Sequence, residues 1–122
     1  MLVPRIGWAN GRVLVRGRGD GERLGAAELG GELGERATLV QFSSAFCAPC
    51  RATRRVLGEV AAMVAGVKCV DVDAEARLDL VRELGIRKTP TVLVLDADGR
   101  VVRRAAGLPR KADVIAALGE AV

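Results

Sequence analysis

Histidine and tyrosine are absent from this sequence, and aromatic residues make up only 2% of it. The absence of histidine removes the commonest zinc ligand besides cysteine, and three cysteines fall short of a four-ligand set. We therefore predict no metal site. Because aromatic side chains are so few, the core has to be built from Val, Leu, Ile and Ala.

Long apolar runs are also absent, since none approaches the roughly 18 residues that a membrane-spanning helix needs. We predict no insertion of this chain into a membrane. The N-terminal stretch "MLVPRIGWANGRVLVRGRGDG" has neither a hydrophobic signal core nor a cleavage site. As it stands, the chain is predicted to be cytoplasmic; a missing N-terminal anchor would instead make it extracytoplasmic.

Charge of one sign is not concentrated anywhere along the chain. The formal net charge is +4, and the arginines are spread out without the aromatic interleaving of a single-strand binder. We therefore predict no nucleic-acid partner. Half of the 122 residues are hydrophobic and 28% are charged, which excludes a disordered chain and favours one folded domain, expected to be a monomer.

Glycine is abundant at the start of the chain, where nine of the fifteen glycines fall within the first 36 residues. We interpret residues 1–36 as an accessory strand (12–16), a loop and a short helix, and residues 37–122 as the main domain. Apolar and β-branched runs predict strands, and helical spacing of apolar residues predicts helices. The predicted strands are 38–42, 67–73, 91–96 and 100–105, and the predicted helices are 50–65, 75–85 and 110–122.

The order β-α-β-α-β-β-α indicates an α/β fold. The two βα units require parallel pairing, whereas the short turn "DADG" at 96–99 predicts an antiparallel hairpin. The sequence therefore predicts a mixed central β-sheet flanked by helices on both faces.

The most informative motif is Cys47-Ala-Pro-Cys50, at the junction of a predicted strand and helix. A thiol at a helix N-terminus is stabilised as a thiolate by the unpaired N–H groups, and Pro49 suits the first helical turn. Cys50 lies three residues later on the same face, close enough to bridge. Redox chemistry is favoured over a structural disulfide, because closing so short a loop removes little chain entropy and so adds little stability. It is also favoured over a metal site, for which too few ligands are present.

A second motif is Thr89-Pro90, which enters the apolar strand 91–96. Proline at the start of a strand marks a turn and is compatible with a cis peptide bond. The alternative interpretation is that the proline only marks the start of the strand.

These motifs together resemble the thioredoxin family, over residues 38–122. The segments that carry the resemblance are "TLVQFSSAFCAPCRATRRVLGEV", "VKCVDVDAEARLDLVRELGIRKTPTVLVL" and "DADGRVVRRAAG". The resemblance implies the thioredoxin fold, with Cys47 as the catalytic nucleophile and Cys50 as the resolving thiol of a redox-active disulfide. It also implies a cis bond at Thr89-Pro90 and a substrate groove formed by Phe46, Pro49, Thr89, Pro90 and Gly107.

Several positions depart from the family pattern. Phe46 replaces a usual tryptophan, and Gln41 and Cys69 stand where the family carries a buried aspartate and its lysine partner. Gln41 can hydrogen-bond but cannot act as a base near neutral pH, which predicts slower exchange and a shifted potential. Cys69 is expected to be a small buried hydrophobe, with a third redox thiol as the alternative. Arg51 is expected to assist the thiolate, whereas Arg54 and Arg55 are expected to be solvated.

The function that the resemblance implies is thiol–disulfide exchange with protein disulfide substrates, without a bound cofactor. A thioredoxin reductase is a candidate partner. Two alternatives stay open: a non-catalytic binding module of the same fold, and a dedicated exchange protein outside the cytoplasm.

Overall fold

The structure is a computed structural model that describes residues 22–122. Over these residues the chain forms four helices and four strands. In chain order they are α1 (Ala26–Leu29), β1 (Ala37–Ser43), α2 (Ala48–Met63), β2 (Val67–Asp73), α3 (Leu78–Leu84), β3 (Thr91–Asp96), β4 (Val101–Ala106) and α4 (Lys111–Ala121). The predicted strand at 12–16 lies outside the described residues.

The four strands form one mixed sheet in the order β2-β1-β3-β4. β1 pairs with β2 in parallel, with Gln41 opposite Asp71, and with β3 in antiparallel fashion, with Phe42 opposite Thr91. β3 and β4 form the predicted antiparallel hairpin. The predicted mixed sheet is therefore confirmed, and its central strands are β1 and β3.

Each face of the sheet carries its own apolar core because alternate residues of a strand point to opposite sides. On one face, α2 and α4 pack over β1, β3 and part of β2 and β4. Leu39, Leu57, Val92, Val94 and Leu118 are among the buried residues of this face. On the other face lie α1 and α3, and buried Leu29, Val40, Phe42, Leu80 and Leu93 belong to that core. Helices thus cover both faces, as predicted.

The helix predicted over 75–85 starts later, at Leu78. Asp73 explains the delay, because its carboxylate accepts the Glu75 N–H at 2.9 Å and its carbonyl accepts the N–H groups of Ala76 and Arg77. This local turn occupies the backbone before the helix begins. The predicted end at Gly85 is correct, since that glycine has φ 67° and caps α3.

Residues 22–24 pair with the β3–β4 hairpin. Arg23 forms an isolated antiparallel bridge with Arg100, and the Leu24 N–H donates to the Gly99 carbonyl at 2.9 Å. The Leu24 side chain is only 1% exposed and belongs to the core on the α1 and α3 face. This part of the chain therefore contributes to the core of the domain.

Candidate active site

The topology brings three segments that are far apart in the sequence to the same end of the sheet, where strands β1 and β4 end and β3 begins. β1 ends at Ser43, β3 starts beside it at Thr91, and β4 ends opposite Thr91 at Ala106. The loops that continue from these positions therefore lie together. They contain the Cys-x-x-Cys motif, Thr89-Pro90 and Gly107.

Cys47 and Cys50 form a disulfide, with their Cα atoms 5.2 Å apart. Cys47 is the N-cap of α2, and its Sγ accepts the backbone N–H of Cys50 at 3.2 Å. Pro49 lies in the first turn of the helix, as predicted. Cys47 is half-buried whereas Cys50 is 1% exposed, so one sulfur faces solvent and the other is shielded.

The Thr89-Pro90 peptide bond is cis, as the sequence resemblance implies. The Thr89 hydroxyl lies 2.8 Å from the Ser44 hydroxyl, which joins this loop to the segment that carries Cys47. The Gly107 N–H donates to the Pro90 carbonyl at 2.9 Å, and space is open where a Gly107 side chain would lie. These contacts hold the two loops next to the dithiol.

Gln41 lies on β1 beneath the first turn of α2 and is 2% exposed. Its Nε2 donates to the Cys50 carbonyl at 2.9 Å. Its Oε1 is buried and has no hydrogen-bond donor among residues 22–122. The resemblance assigns Gln41 to the position of a buried aspartate, and the structure adds its contact with the Cys50 backbone and the unpaired oxygen, neither of which is visible in the sequence.

Cys69 is exposed rather than buried, so the expectation of a buried hydrophobe is wrong. Among the strands that the structure describes, β2 is the outermost on its side of the sheet, so Cys69 keeps one flank exposed although its thiol contacts α2. The Cys69 Sγ donates to the Leu57 carbonyl at 3.3 Å, at a level two helical turns after Cys50. Two turns correspond to about 11 Å along a helix, so bridging Cys50 would require β2 to move.

The arginines after Cys50 have different surroundings. Arg54 is not simply solvated, because its guanidinium pairs with Asp71 at 2.9 Å, and the same carboxylate accepts the Ser43 hydroxyl at 2.7 Å. This contact, which was not predicted from the sequence, joins α2 to β2, and the parallel register of β1 and β2 positions Asp71 for it. The Arg51 side chain is exposed and forms no ion pair with another described residue.

Phe46 precedes the nucleophile candidate and is 101% exposed. Its φ of 56° lies in the left-handed region, which is uncommon for a residue with a side chain. Because it is fully exposed, the ring has no packing partner among residues 22–122. It projects into solvent beside Cys47.

The Cys69 thiol provides a pH-dependent prediction, since it is the free thiol of the oxidised protein. Desolvation by the surrounding protein raises the pKa of the Cys69 thiol. A raised pKa lowers the thiolate fraction at neutral pH, so alkylation by iodoacetamide should be slower in the folded protein than in urea. The difference should shrink as the pH passes the raised pKa. Mass spectrometry of timed samples measures both rates, and equal rates at neutral pH would contradict this.

No three acidic or cysteine side chains in the described part of the chain converge as metal ligands would. Across residues 22–122, none of the helices is both long and apolar enough to cross a bilayer.

The dithiol at the N-terminus of a long helix, on a mixed sheet with a cis-proline loop beside it, defines the class of thiol–disulfide oxidoreductases. The family pattern described as Thioredoxin matches residues 30–120, and the chain belongs to the thioredoxin family. The match begins eight residues before the segment 38–122 that carries the sequence resemblance and ends two residues before its end.

Individual relatives agree with this assignment. The chain is 32% identical to a thioredoxin from Mycolicibacterium smegmatis, over 71% of this chain and 80% of that protein. It is 29% identical to the chloroplastic thioredoxin M3 of Oryza sativa, over 69% of this chain but only 48% of that longer protein, so it spans about half of it. The thioredoxin NaTrxh from Nicotiana alata has a similar structure, with a TM-score of 0.62 at 25% identity, covering 71% of this chain and 74% of that one.

Proposed function

We propose that this chain exchanges disulfide bonds with protein clients, with Cys47 as the nucleophile and Cys50 as the resolving thiol. The observation that supports these roles is the difference in exposure within the pair. Cys47 is half-buried at the positive end of α2, while Cys50 is 1% exposed beneath it. A client sulfur can therefore reach only Cys47 directly.

The reaction that follows from this arrangement has two steps. The Cys47 thiolate attacks one sulfur of the client disulfide, forms a mixed disulfide and releases the other client sulfur as a thiolate. Cys50, after losing its proton, attacks the Cys47 sulfur and releases the second client sulfur. The client gains two electrons, and the protein ends as the Cys47–Cys50 disulfide. The helix N-terminus favours the anionic form of Cys47 and so promotes the first step.

The client segment is proposed to lie in an extended form along the Thr89-Pro90 loop. Among the described residues, the Thr89 backbone N–H and carbonyl have no hydrogen-bond partner, which leaves them available for strand-like pairing. Phe46 and the half-exposed Leu108 would supply apolar contacts on either side. The open space at Gly107 would let a client backbone approach closely.

The partners of the reaction are part of the same proposal. Protein disulfides are the proposed substrates, and a thioredoxin reductase is the proposed electron donor if the chain works as a reductase. The direction of exchange depends on the reduction potential of the dithiol relative to its surroundings. A measured potential, together with the full N-terminal sequence of the gene product, would assign both direction and compartment.

Replacing Cys50 with Ser tests the assigned roles. Because a serine hydroxyl cannot resolve the mixed disulfide, the variant should accumulate a covalent complex between Cys47 and a client such as insulin. The complex should appear on a non-reducing gel and disappear on treatment with dithiothreitol. Its mass and a tryptic map would identify Cys47 as the attached residue.

The trapping experiment is cleanest in a Cys69→Ser background, because the exposed Cys69 could otherwise form adducts of its own. The matched control is the Cys47→Ser variant with Cys50 retained in that same background. It should form little complex, since Cys50 is shielded from the client. Equal trapping through Cys50 would reverse the assigned roles.

A further inference from the structure

Gln41 lies beside Cys50 but has no role in the two exchange steps proposed for the cysteines. Its side chain is buried, its Nε2 donates to the Cys50 carbonyl, and its Oε1 has no donor among the described residues. Buried acceptors are nearly always paired, and an unpaired one destabilises the state that contains it. In the disulfide form, Gln41 Oε1 is therefore a buried acceptor that no described donor satisfies.

The orientation of the Gln41 amide follows from its chemistry. Nε2 carries the hydrogens and faces the Cys50 carbonyl at 2.9 Å. The flipped amide would oppose two oxygen atoms and lose this bond. The oxygen is therefore the unpaired atom. It is bonded to the same amide carbon as Nε2, the nitrogen that contacts Cys50.

The neighbouring side-chain donors on this face are already engaged. The Thr53 hydroxyl donates to the Pro49 carbonyl at 2.8 Å, and the Cys69 thiol donates to the Leu57 carbonyl. The Ser43 hydroxyl, two residues along β1, donates to Asp71. Reduction of the disulfide adds one new polar hydrogen at the buried end of the site, on the Sγ of Cys50.

We propose that Gln41 Oε1 accepts the thiol hydrogen of Cys50 once the disulfide is reduced, which makes Gln41 a positioning residue that favours the reduced dithiol. This inference rests on the proposed redox role of the Cys47–Cys50 pair. With glutathione as the reductant, two glutathione thiols give two electrons and two protons and become one glutathione disulfide. The Cys47–Cys50 bond breaks, one proton goes to the Cys50 sulfur and hydrogen-bonds to Gln41 Oε1, and the other goes to Cys47 or, when Cys47 is a thiolate, to solvent.

The same contact has a consequence for exchange. The hydrogen bond stabilises the protonated Cys50 thiol, and a neutral amide cannot take the proton away. Resolution of the mixed disulfide then depends on water or on the departing client thiolate as the base. Gln41 thus favours the reduced form while leaving the resolving step without an internal base.

Infrared spectroscopy of the S–H stretch tests the hydrogen bond directly. In the Cys47→Ser/Cys69→Ser protein, Cys50 is the sole thiol, so its band is unambiguous. We expect this band to move to higher frequency when Gln41→Leu is added, because the acceptor is lost. The Thr53→Val variant, which removes a neighbouring buried hydroxyl, should leave the band in place. A band that Gln41→Leu leaves unchanged would overturn the proposal.

The redox equilibrium with glutathione provides the second measurement, on the chain with Cys47 and Cys50 intact. Gln41→Leu should shift the equilibrium toward the disulfide by about three- to tenfold, the range of one neutral hydrogen bond. A tenfold shift corresponds to about 30 mV for this two-electron couple. Loss of the Nε2 contact cancels, because the Cys50 carbonyl is present in both redox states.

The outcomes separate this inference from the proposed function. A shifted equilibrium with an unmoved S–H band would overturn the direct hydrogen bond and leave a structural effect of Gln41. If Gln41→Leu does not fold, Gln41→Met keeps the side-chain length and replaces it in both measurements. Neither readout uses a protein client, so a failure to reduce insulin would count against the proposed function and not against Gln41.

Discussion

A Cys47→Ser variant should reduce insulin no faster than dithiothreitol does alone. The hydroxyl of serine is almost entirely protonated near neutral pH, and an alkoxide is not stabilised by a helix N-terminus as a thiolate is. Cys50 cannot take over, because it is 1% exposed. The turbidity of precipitating insulin chains, followed with wild type and variant at equal concentration, measures the loss.

Two controls make the Cys47→Ser result specific. The Cys69→Ser variant should keep the wild-type rate, since Cys69 bonds to Leu57 two turns away from Cys50. The thermal unfolding of Cys47→Ser should be compared with that of the reduced wild type, because both lack the disulfide. If Cys47→Ser matched the wild-type rate, the protein would instead be a non-catalytic binding module that uses the same groove.

The bounds of β2 and β3 follow directly from the sequence. The runs 67–73 and 91–96 are rich in valine and leucine and are bounded by glycine, proline and aspartate, so composition alone defines them. The dithiol is predictable for a related reason, because a proline between two cysteines at a strand–helix junction carries its own local geometry. Local signals of this kind do not depend on the rest of the fold.

The features that the sequence does not predict depend on distant contacts. Cys69 lies in a strand rich in valine, and only the sheet order shows that this strand is outermost among the strands of residues 22–122. The Arg54–Asp71 pair joins residues 17 positions apart through the register of two parallel strands. The unpaired Oε1 of Gln41 depends on where Thr53 and Ser43 direct their hydroxyls. Burial and pairing are properties of the packed fold and cannot be read from one segment.

Positions 41 and 69, where this chain lacks the aspartate and the lysine of the family pattern, have to be considered together. A buried carboxylate beneath Cys50 would need a cationic partner, and the thiol at position 69 cannot provide one. A neutral amide avoids that cost while keeping a hydrogen bond to the Cys50 backbone. The fold is thereby stabilised without an ion pair under the dithiol, and the site loses an internal base.

The largest expected effect on stability belongs to Gly34→Ala, just before β1. An added Cβ would lie 2.2 Å from the Ala37 carbonyl oxygen and 2.6 Å from that of Gly66. Both atoms belong to the backbone, and Gly66 accepts the N–H groups of Arg36 and Ala37 where β1 begins. The chain would have to shift and weaken these bonds, as well as the 2.9 Å bond from the Gly34 N–H to the Thr38 hydroxyl. We expect a loss of about 3 kcal/mol or more in the free energy of unfolding, combining overpacking with weakened hydrogen bonds.

Gly58→Ala is the matched control for this prediction, because it adds the same methyl group where there is space. Gly58 lies on the exposed side of α2, and a Cβ there would meet nothing within 4 Å. Alanine is the better helix former, so this variant should gain about 0.5–1 kcal/mol. Urea unfolding of the three reduced proteins compares them on one scale. A Gly34→Ala midpoint close to that of the wild type would show that the backbone before β1 yields, whereas opposite signs at the two positions attribute the loss to crowding by Ala37 and Gly66.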